Sequence, residues 1–202
     1  MSQPILTGIC SLCGKGFSRR SMTQHLKSCG LPDSKLPAAA APAKPPNRSF
    51  HLFVDGRYAM DYWLHLAVPV GESLDSVDYF LRKIWLECCG HLSAFTIEGK
   101  RYAYQPLDDL EESGMSVQLS RILQPGMVFT YEYDYGSTTE LRLKVLGFWD
   151  RGTHGEAVEL LARNHAPQVA CHQCGTQPAT QICTDCQNLS PEEFTKEFSK
   201  VS

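Results

Sequence analysis

Residues Met127 to Phe148 constrain the fold more than any other stretch. Met127, Phe129, Tyr131, Tyr133 and Tyr135 fall on one side of a two-residue period, and Val128, Thr130, Glu132 and Asp134 on the other. After a break at YGSTT, Leu141, Leu143 and Val145 alternate with Arg142 and Lys144. Period two means two strands, each buried on one side. Setting Tyr133 against Leu141 places Tyr131 opposite Leu143 and Phe129 opposite Val145, with Glu132 opposite Arg142 on the wet face. The loop then centres on Ser137, and Gly136 is free to take positive φ. A one-residue slip would bury Arg142 and Lys144, so the register is constrained. This hairpin anchors a central α+β domain.

The rest of that domain is read around it. Phe50–Asp55 and Tyr62–Val68 have strand character, with Gly56 near the turn. Ser73 is a candidate N-cap, and Asp75 and Asp78 favour the positive end of the following helix. Leu74, Val77, Leu81, Ile84, Trp85 and Cys88 recur at helical spacing before Gly90. Ala94–Glu98 and Arg101–Tyr104 pair around Gly99, Ser120–Leu123 makes one helical turn, and Glu156–Ala162 supplies a last strand. The order ββ-α-ββ-ββ-β predicts a β-grasp-like sheet with one packed helix.

Chemistry is sought at the two ends. The chain has 202 residues and nine cysteines, and eight of its Cys and His residues form two tight groups. With no secretory leader at Met1 and no long apolar run, that grouping points to zinc in a cytoplasmic protein rather than to disulfides. The formal charge of −3 is unevenly spread. Residues 1–49 hold seven Lys/Arg and one acid, and the remainder holds 12 Lys/Arg and 21 acids. Thiolate coordination of two zinc ions would lower the total to about −6.

The first group is Cys10-x2-Cys13-x11-His25-x3-Cys29. Two ligands on a knuckle and two at i, i+4 on a helix close a tetrahedron around Zn²⁺. Phe17 and Met22 supply the small core of a ββα finger. Lys15, Arg19, Arg20, Gln24, Leu26 and Lys27 are its candidate contacts to a nucleic acid or a protein. Residues 31–49, with five prolines and five alanines, read as a semi-extended tether, so the finger is expected to move relative to the body.

The second group is Cys171-x2-Cys174-x8-Cys183-x2-Cys186. Two knuckles complete a closed tetrathiolate site, structural zinc by this reading, with iron as the alternative metal. Ser190-Pro191-Glu192-Glu193 opens a final helix, and Phe194, Phe198 and Val201 stripe one of its faces. The chain therefore divides into a finger (1–30), a linker (31–49), an α+β domain (50–166) and a four-cysteine zinc module with a C-terminal helix (167–202).

Three resemblances add to this. The finger is similar to DNA-reading ββα fingers, in which Ser18, Ser21 and Gln24 would face bases, and none of these is Arg. Its ending His25-Leu26-Lys27-Ser28-Cys29 resembles the Cys-Cys-His-Cys ubiquitin-binding fingers of DNA-repair proteins, with Lys27 where those have Asp. In the body, Trp63…Val68-Pro69, Gly90-His91-Leu92…Phe95-x-Ile97 and Tyr131-x-Tyr133-Asp134-Tyr135-Gly136-Ser137 resemble the plasmid pRiA4b ORF-3-like domain family. That likeness implies the fold and a prokaryotic, mobile-element setting, and brings with it no established activity. Members commonly follow Tyr-Asp-Phe-Gly-Asp with Trp-x-His, and this chain has Thr138-Thr139-Glu140 instead.

No Gly-rich phosphate loop, His-Glu-x-x-His or Gly-x-Ser-x-Gly occurs. The sequence thus reads as a non-enzymatic adaptor with two zinc ions, no small-molecule cofactor and no membrane segment. Its alternatives are an enzyme acting on nucleic acid or protein near His91 and Asp134, and a weak, non-specific DNA-binding protein.

Overall fold

The alternating segments form one continuous sheet. A computed structural model describes residues 7–29, 48–86, 90–107, 109, 111–151 and 153–166. Among these residues lie β1 (Thr7–Cys10), β2 (Gly16–Ser18), α1 (Arg19–Leu26), β3 (Ser49–Gly56), β4 (Trp63–Pro69) and α2 (Leu74–Trp85). They continue with β5 (Ser93–Ile97), β6 (Lys100–Ala103), β7 (Ser113–Gly114), β8 (Val128–Tyr133), β9 (Thr139–Trp149) and β10 (Glu159–Asn164). The fold is a mostly-sheet α+β arrangement in the order β2-β1-β10-β4-β3-β9-β8-β5-β6-β7. Neighbours are antiparallel except β6 and β7. The chain divides into two units, Met1–Ala166 and Pro167–Ser202. The second unit, with Cys171, Cys174, Cys183 and Cys186, lies outside the described residues, as do most of the linker and Cys88 and Cys89.

The anchor hairpin is present with its register moved by two residues. Tyr133 pairs with Thr139, Tyr131 with Leu141, Phe129 with Leu143 and Glu132 with Glu140. A two-residue shift preserves both faces, so the hydrophobic pattern alone cannot reject it. The observed register sets Glu132 opposite Glu140, and these acids are neutralised from outside the hairpin, Glu140 by Arg57 and Glu132 by Arg101, while Arg142 reaches Asp55 on β3. The loop is correspondingly tighter, and Asp134, not Gly136, takes positive φ at 56°. The Asp134 carboxylate accepts the Gly136 amide at 3.0 Å, which compensates that backbone.

One face of the sheet carries the main core. Leu74, Val77 and Leu81 of α2 pack on Leu52, Val54, Leu64, Leu66, Phe95, Tyr131 and Leu143. Inside this apolar layer sits one charged group, Asp78. Its carboxylate accepts Ser93 Oγ and Tyr131 OH at 2.7 Å each, and Arg82 Nε at 2.7 Å. With these donors the burial of Asp78, at 3 % exposure, is compensated.

The opposite face is covered by the finger, contrary to the expectation of a mobile module. β1 pairs with β10, placing Gly8 opposite Asn164 and Cys10 opposite Ala162. Gly8 seats flush there, because a Cβ would run into the Arg163 carbonyl and the Trp63 ring. Met22 and Leu26 of α1 are fully buried in a second core with Trp63, Ala67, Trp149, Leu161 and Ala162. Burying each such side chain is worth roughly 1.5–3 kcal/mol, and the strand pairing adds its ladder. Residues 31–49 carry no such signal in their composition, because docking is specified by the finger and the body rather than by the tether.

Candidate metal centre

The finger is built locally before it docks. Ser18 caps α1, its hydroxyl accepting the Ser21 amide at 3.3 Å. The knuckle closes through Cys10 N–H to Lys15 O at 3.0 Å and Gly14 N–H to Cys10 O at 2.8 Å, with Gly14 at φ 71°. A third amide, Ser11 N–H, donates to Leu161 O at 2.9 Å and ties the knuckle to β10. His25 stacks on Phe17 with ring centroids 3.9 Å apart, which fixes its plane.

These constraints bring Cys10, Cys13, His25 and Cys29 together, their ligand atoms all within 4.8 Å of one another. Cys10 Sγ and Cys29 Sγ are 3.8 Å apart, and Cys13 Sγ lies 3.3 Å from His25 Nε2. Tetrahedral zinc with bonds of about 2.3 Å to sulfur and 2.0 Å to nitrogen puts its ligands about 3.5–3.8 Å apart. The donor set and its spacing therefore fit zinc. Cys10 and Cys29 are buried and Cys13 is exposed.

The thiols differ in their protonation. Burial, together with hydrogen bonds to its neighbouring cysteines, pushes the Cys29 thiol up to about 12. Cys13 is held below its ordinary range, chiefly by a backbone hydrogen bond at Lys15. Burial lowers His25, which favours the neutral imidazole a metal requires. A coordinated cation would keep all three sulfurs as thiolates. Four protein donors leave no open position, so such a metal supports structure and does not activate water.

Two body residues that the sequence reading passed over hold the finger in place. Asp55, at 1 % side-chain exposure, accepts Arg19 of α1 and Arg142 of β9. Arg151 donates to the main-chain carbonyls of Leu26, Lys27 and Cys29, the open end of α1. An acid ending an apolar strand and an arginine two residues after a tryptophan carry no motif. Only the fold reveals their partners.

The candidate contact residues separate accordingly. Leu26 is fully buried against the body, so its role is packing rather than recognition. Arg19 is engaged by Asp55, by the Met60 carbonyl at 3.0 Å and by the Phe53 ring at 5.0 Å. Lys15, Arg20, Gln24 and Lys27 remain exposed. In the body, His91 Nδ1 and Asp134 Oδ1 stand 3.7 Å apart, just before β5 and just after β8.

No family model matches the chain, and no curated protein matches it. Among solved structures it is similar to the protein of unknown function MM3350 from Methanosarcina mazei Go1, at 16 % identity and a TM-score of 0.46. The match covers 54 % of this chain and spans 64 % of that one. Among the described residues no helix is long and apolar enough to cross a membrane.

Proposed function

We propose that this protein is a zinc-organised, non-enzymatic interaction protein whose finger offers its outer surface to a partner, protein or nucleic acid. The observation that carries the reading is the Cys10, Cys13, His25 and Cys29 cluster, built into the sheet through β1. Four donors with no vacancy stabilise a surface and leave no site for chemistry. The exposed Lys15, Arg20, Gln24 and Lys27 are the contacts of that surface. Ligand spacing assigns a second zinc to Cys171, Cys174, Cys183 and Cys186, giving two per chain. We further place the body with the pRiA4b ORF-3-like domains and the β-grasp folds, on the residues quoted for that resemblance.

Affinity capture with the full-length protein and with a Lys15→Glu, Arg20→Glu, Lys27→Glu variant tests this, with zinc content measured on both. The variant is expected to keep its zinc and lose its partner. Undiminished capture by the folded variant overturns the assignment of the surface.

An enzymatic reading has one observation in its favour, the His91–Asp134 pair at 3.7 Å. His91→Ala separates the two: partner capture unchanged supports the interaction protein, and loss of a hydrolytic activity supports the enzyme.

A further inference from the structure

A small cavity opens where three pieces of the body meet: the turn between β3 and β4, the C-terminal end of α2 and the first residues of β9. Its volume is about 300 Å³, and Tyr58, Tyr62, Trp85, Leu141 and Glu140 are among its lining. The turn is fixed in advance of any ligand. Gly56 N–H donates to Tyr62 O at 3.1 Å, Tyr62 N–H to Ala59 O at 3.0 Å and Arg57 N–H to Glu140 O at 3.0 Å. Arg19 of the finger helix adds a bond to Met60 O at 3.0 Å.

The walls are aromatic and partly wet. Tyr58 is 80 % exposed, and Met60 and Tyr62 are exposed beside it. The Tyr62 and Trp85 rings stand at 89° with centroids 6.1 Å apart, so they make two sides of a corner. Trp85 Nε1 is buried and has no hydrogen-bond partner. Large rings left in water around a preformed cavity mark a place where a guest is bound.

Charge selects the guest. Glu140 lines the cavity, and among the described residues no Lys, Arg or His does. Arg57 holds Glu140 Oε2 at 2.6 Å, and Oε1 has no hydrogen-bond partner among the described residues. The same guanidinium stands 5.5 Å from the Tyr58 ring, so one cation already rests between ring and carboxylate. The neighbouring charges do not reverse this sign. Glu132, opposite Glu140, is matched by Arg101, which also serves Glu112. Arg19 and Arg142 share Asp55, and Asp61 in the turn has no ion pair among the described residues. These five acids exceed the four arginines by one. On α2, Arg82 is bound to Asp78 and Lys83 lies over Tyr79.

We infer that this cavity binds a methylated ammonium group. Ring faces carry negative potential and reject anions. A bare ammonium or a metal ion would give up strongly held water for walls with few acceptors. A methylated ammonium holds little water, and ring faces with one carboxylate satisfy it. The site uses none of the finger's contact residues Lys15, Arg20, Gln24 and Lys27, so it is tested apart from the proposed function.

Nuclear magnetic resonance of zinc-loaded, isotope-labelled full-length protein supplies the test, with the Trp85 indole signal assigned through Trp85→Phe. Tetramethylammonium should shift that signal saturably. Tighter binding of an acetylated trimethyllysine amide than of choline then names a modified protein side chain as the source, and the reverse order names a choline compound. The unmethylated lysine amide and the uncharged carbon isostere of choline should both bind more weakly. Tyr58→Ala and Glu140→Gln should each weaken tetramethylammonium binding about 2- to 30-fold, and Tyr79→Ala, an exposed ring of α2 outside the cavity, should leave it unchanged. Signals remote from the cavity report that each variant is folded. Absence of a saturable shift at tens of millimolar, equal binding of the unmethylated amide or the uncharged isostere, or unchanged affinity in both folded variants overturns the inference. None of these results bears on capture of a partner by the finger.

Discussion

Asp55 of β3 and Arg19 of the finger helix form an ion pair across 36 residues of sequence, and Arg142 shares the same carboxylate at 3.0 and 2.7 Å. The acid is buried at 1 % exposure, whereas Arg19 and Arg142 keep 30 % and 50 % of their side chains in water. Partners so unequally solvated respond unequally to substitution.

Removing either arginine alone leaves Asp55 paired, so Arg19→Gln or Arg142→Gln should each cost about 1 kcal/mol. Removing both strands a buried carboxylate and should cost about 3–5 kcal/mol, more than the sum of the singles. Denaturant unfolding of the three variants measures this. Additive losses would show that Asp55 does not depend on the pair.

Zinc should hold the finger against the sheet. Elemental analysis of reduced protein is expected to give two zinc ions per chain, and Cys13→Ser to remove one of them. Chelation should then uncover Trp63 and Trp149, which are 0 % and 6 % exposed in the docked state. A red shift of tryptophan fluorescence reports it, together with a loss of several kcal/mol of stability. Fluorescence indifferent to chelator would mean that the docking is metal-independent.

Beneath the finger, His51 Nε2 and His65 Nδ1 are 2.9 Å apart. Burial lowers His51 to about 4, and burial with the neighbouring His51 and Arg19 charges lowers His65 to about 3. Both folded values lie below the ordinary 6.5, so the unfolded chain binds more protons between them. The pair's contribution is therefore complete above about pH 6.5 and is lost as pH falls toward 4, with a slope of up to about 1.4 kcal/mol per pH unit for each histidine. Zinc ligands also take up protons in acid, so the measurement is a difference. His65→Leu should flatten the stability curve between pH 6.5 and 4 relative to wild type. Parallel curves would refute it.

Asp78→Ala should leave Arg82, Ser93 and Tyr131 without their shared acceptor inside the main core. The expected cost is about 3–5 kcal/mol, or a fall in Tm of roughly 6–20 °C for a domain of this size. Thermal unfolding followed by circular dichroism reads it. A Tm within two degrees of wild type would show the network to be dispensable.

These residues also mark what could be read in advance. Strands, faces and metal ligands follow from periodicity and spacing, which are local, and Cys10, Cys13, His25 and Cys29 converge as their intervals require. Asp78 looked like a helix-terminus charge because its i, i+4 neighbour Arg82 is visible in sequence and Tyr131, 53 residues away, is not. The hairpin register failed for a related reason: shifts of two residues are degenerate in hydrophobic pattern, and the arginines that neutralise the facing Glu132 and Glu140 come from outside the hairpin. The docking of the finger was hidden in the same way. The runs Phe50–Val54 and Trp63–Val68, apolar at nearly every position and not only every second one, could have signalled it, since strands apolar on both sides need two covers.

Pairing of β1 with β10 also has a bearing on how the protein behaves in company. Without the finger, β10 would end the sheet as a bare row of amides and carbonyls beside Leu161, Ala162 and the uncovered Trp63. Such an edge recruits strands from other molecules. The metal-held hairpin thus works as a guard against self-association, and a chain beginning at residue 48 should aggregate where the whole protein stays dispersed.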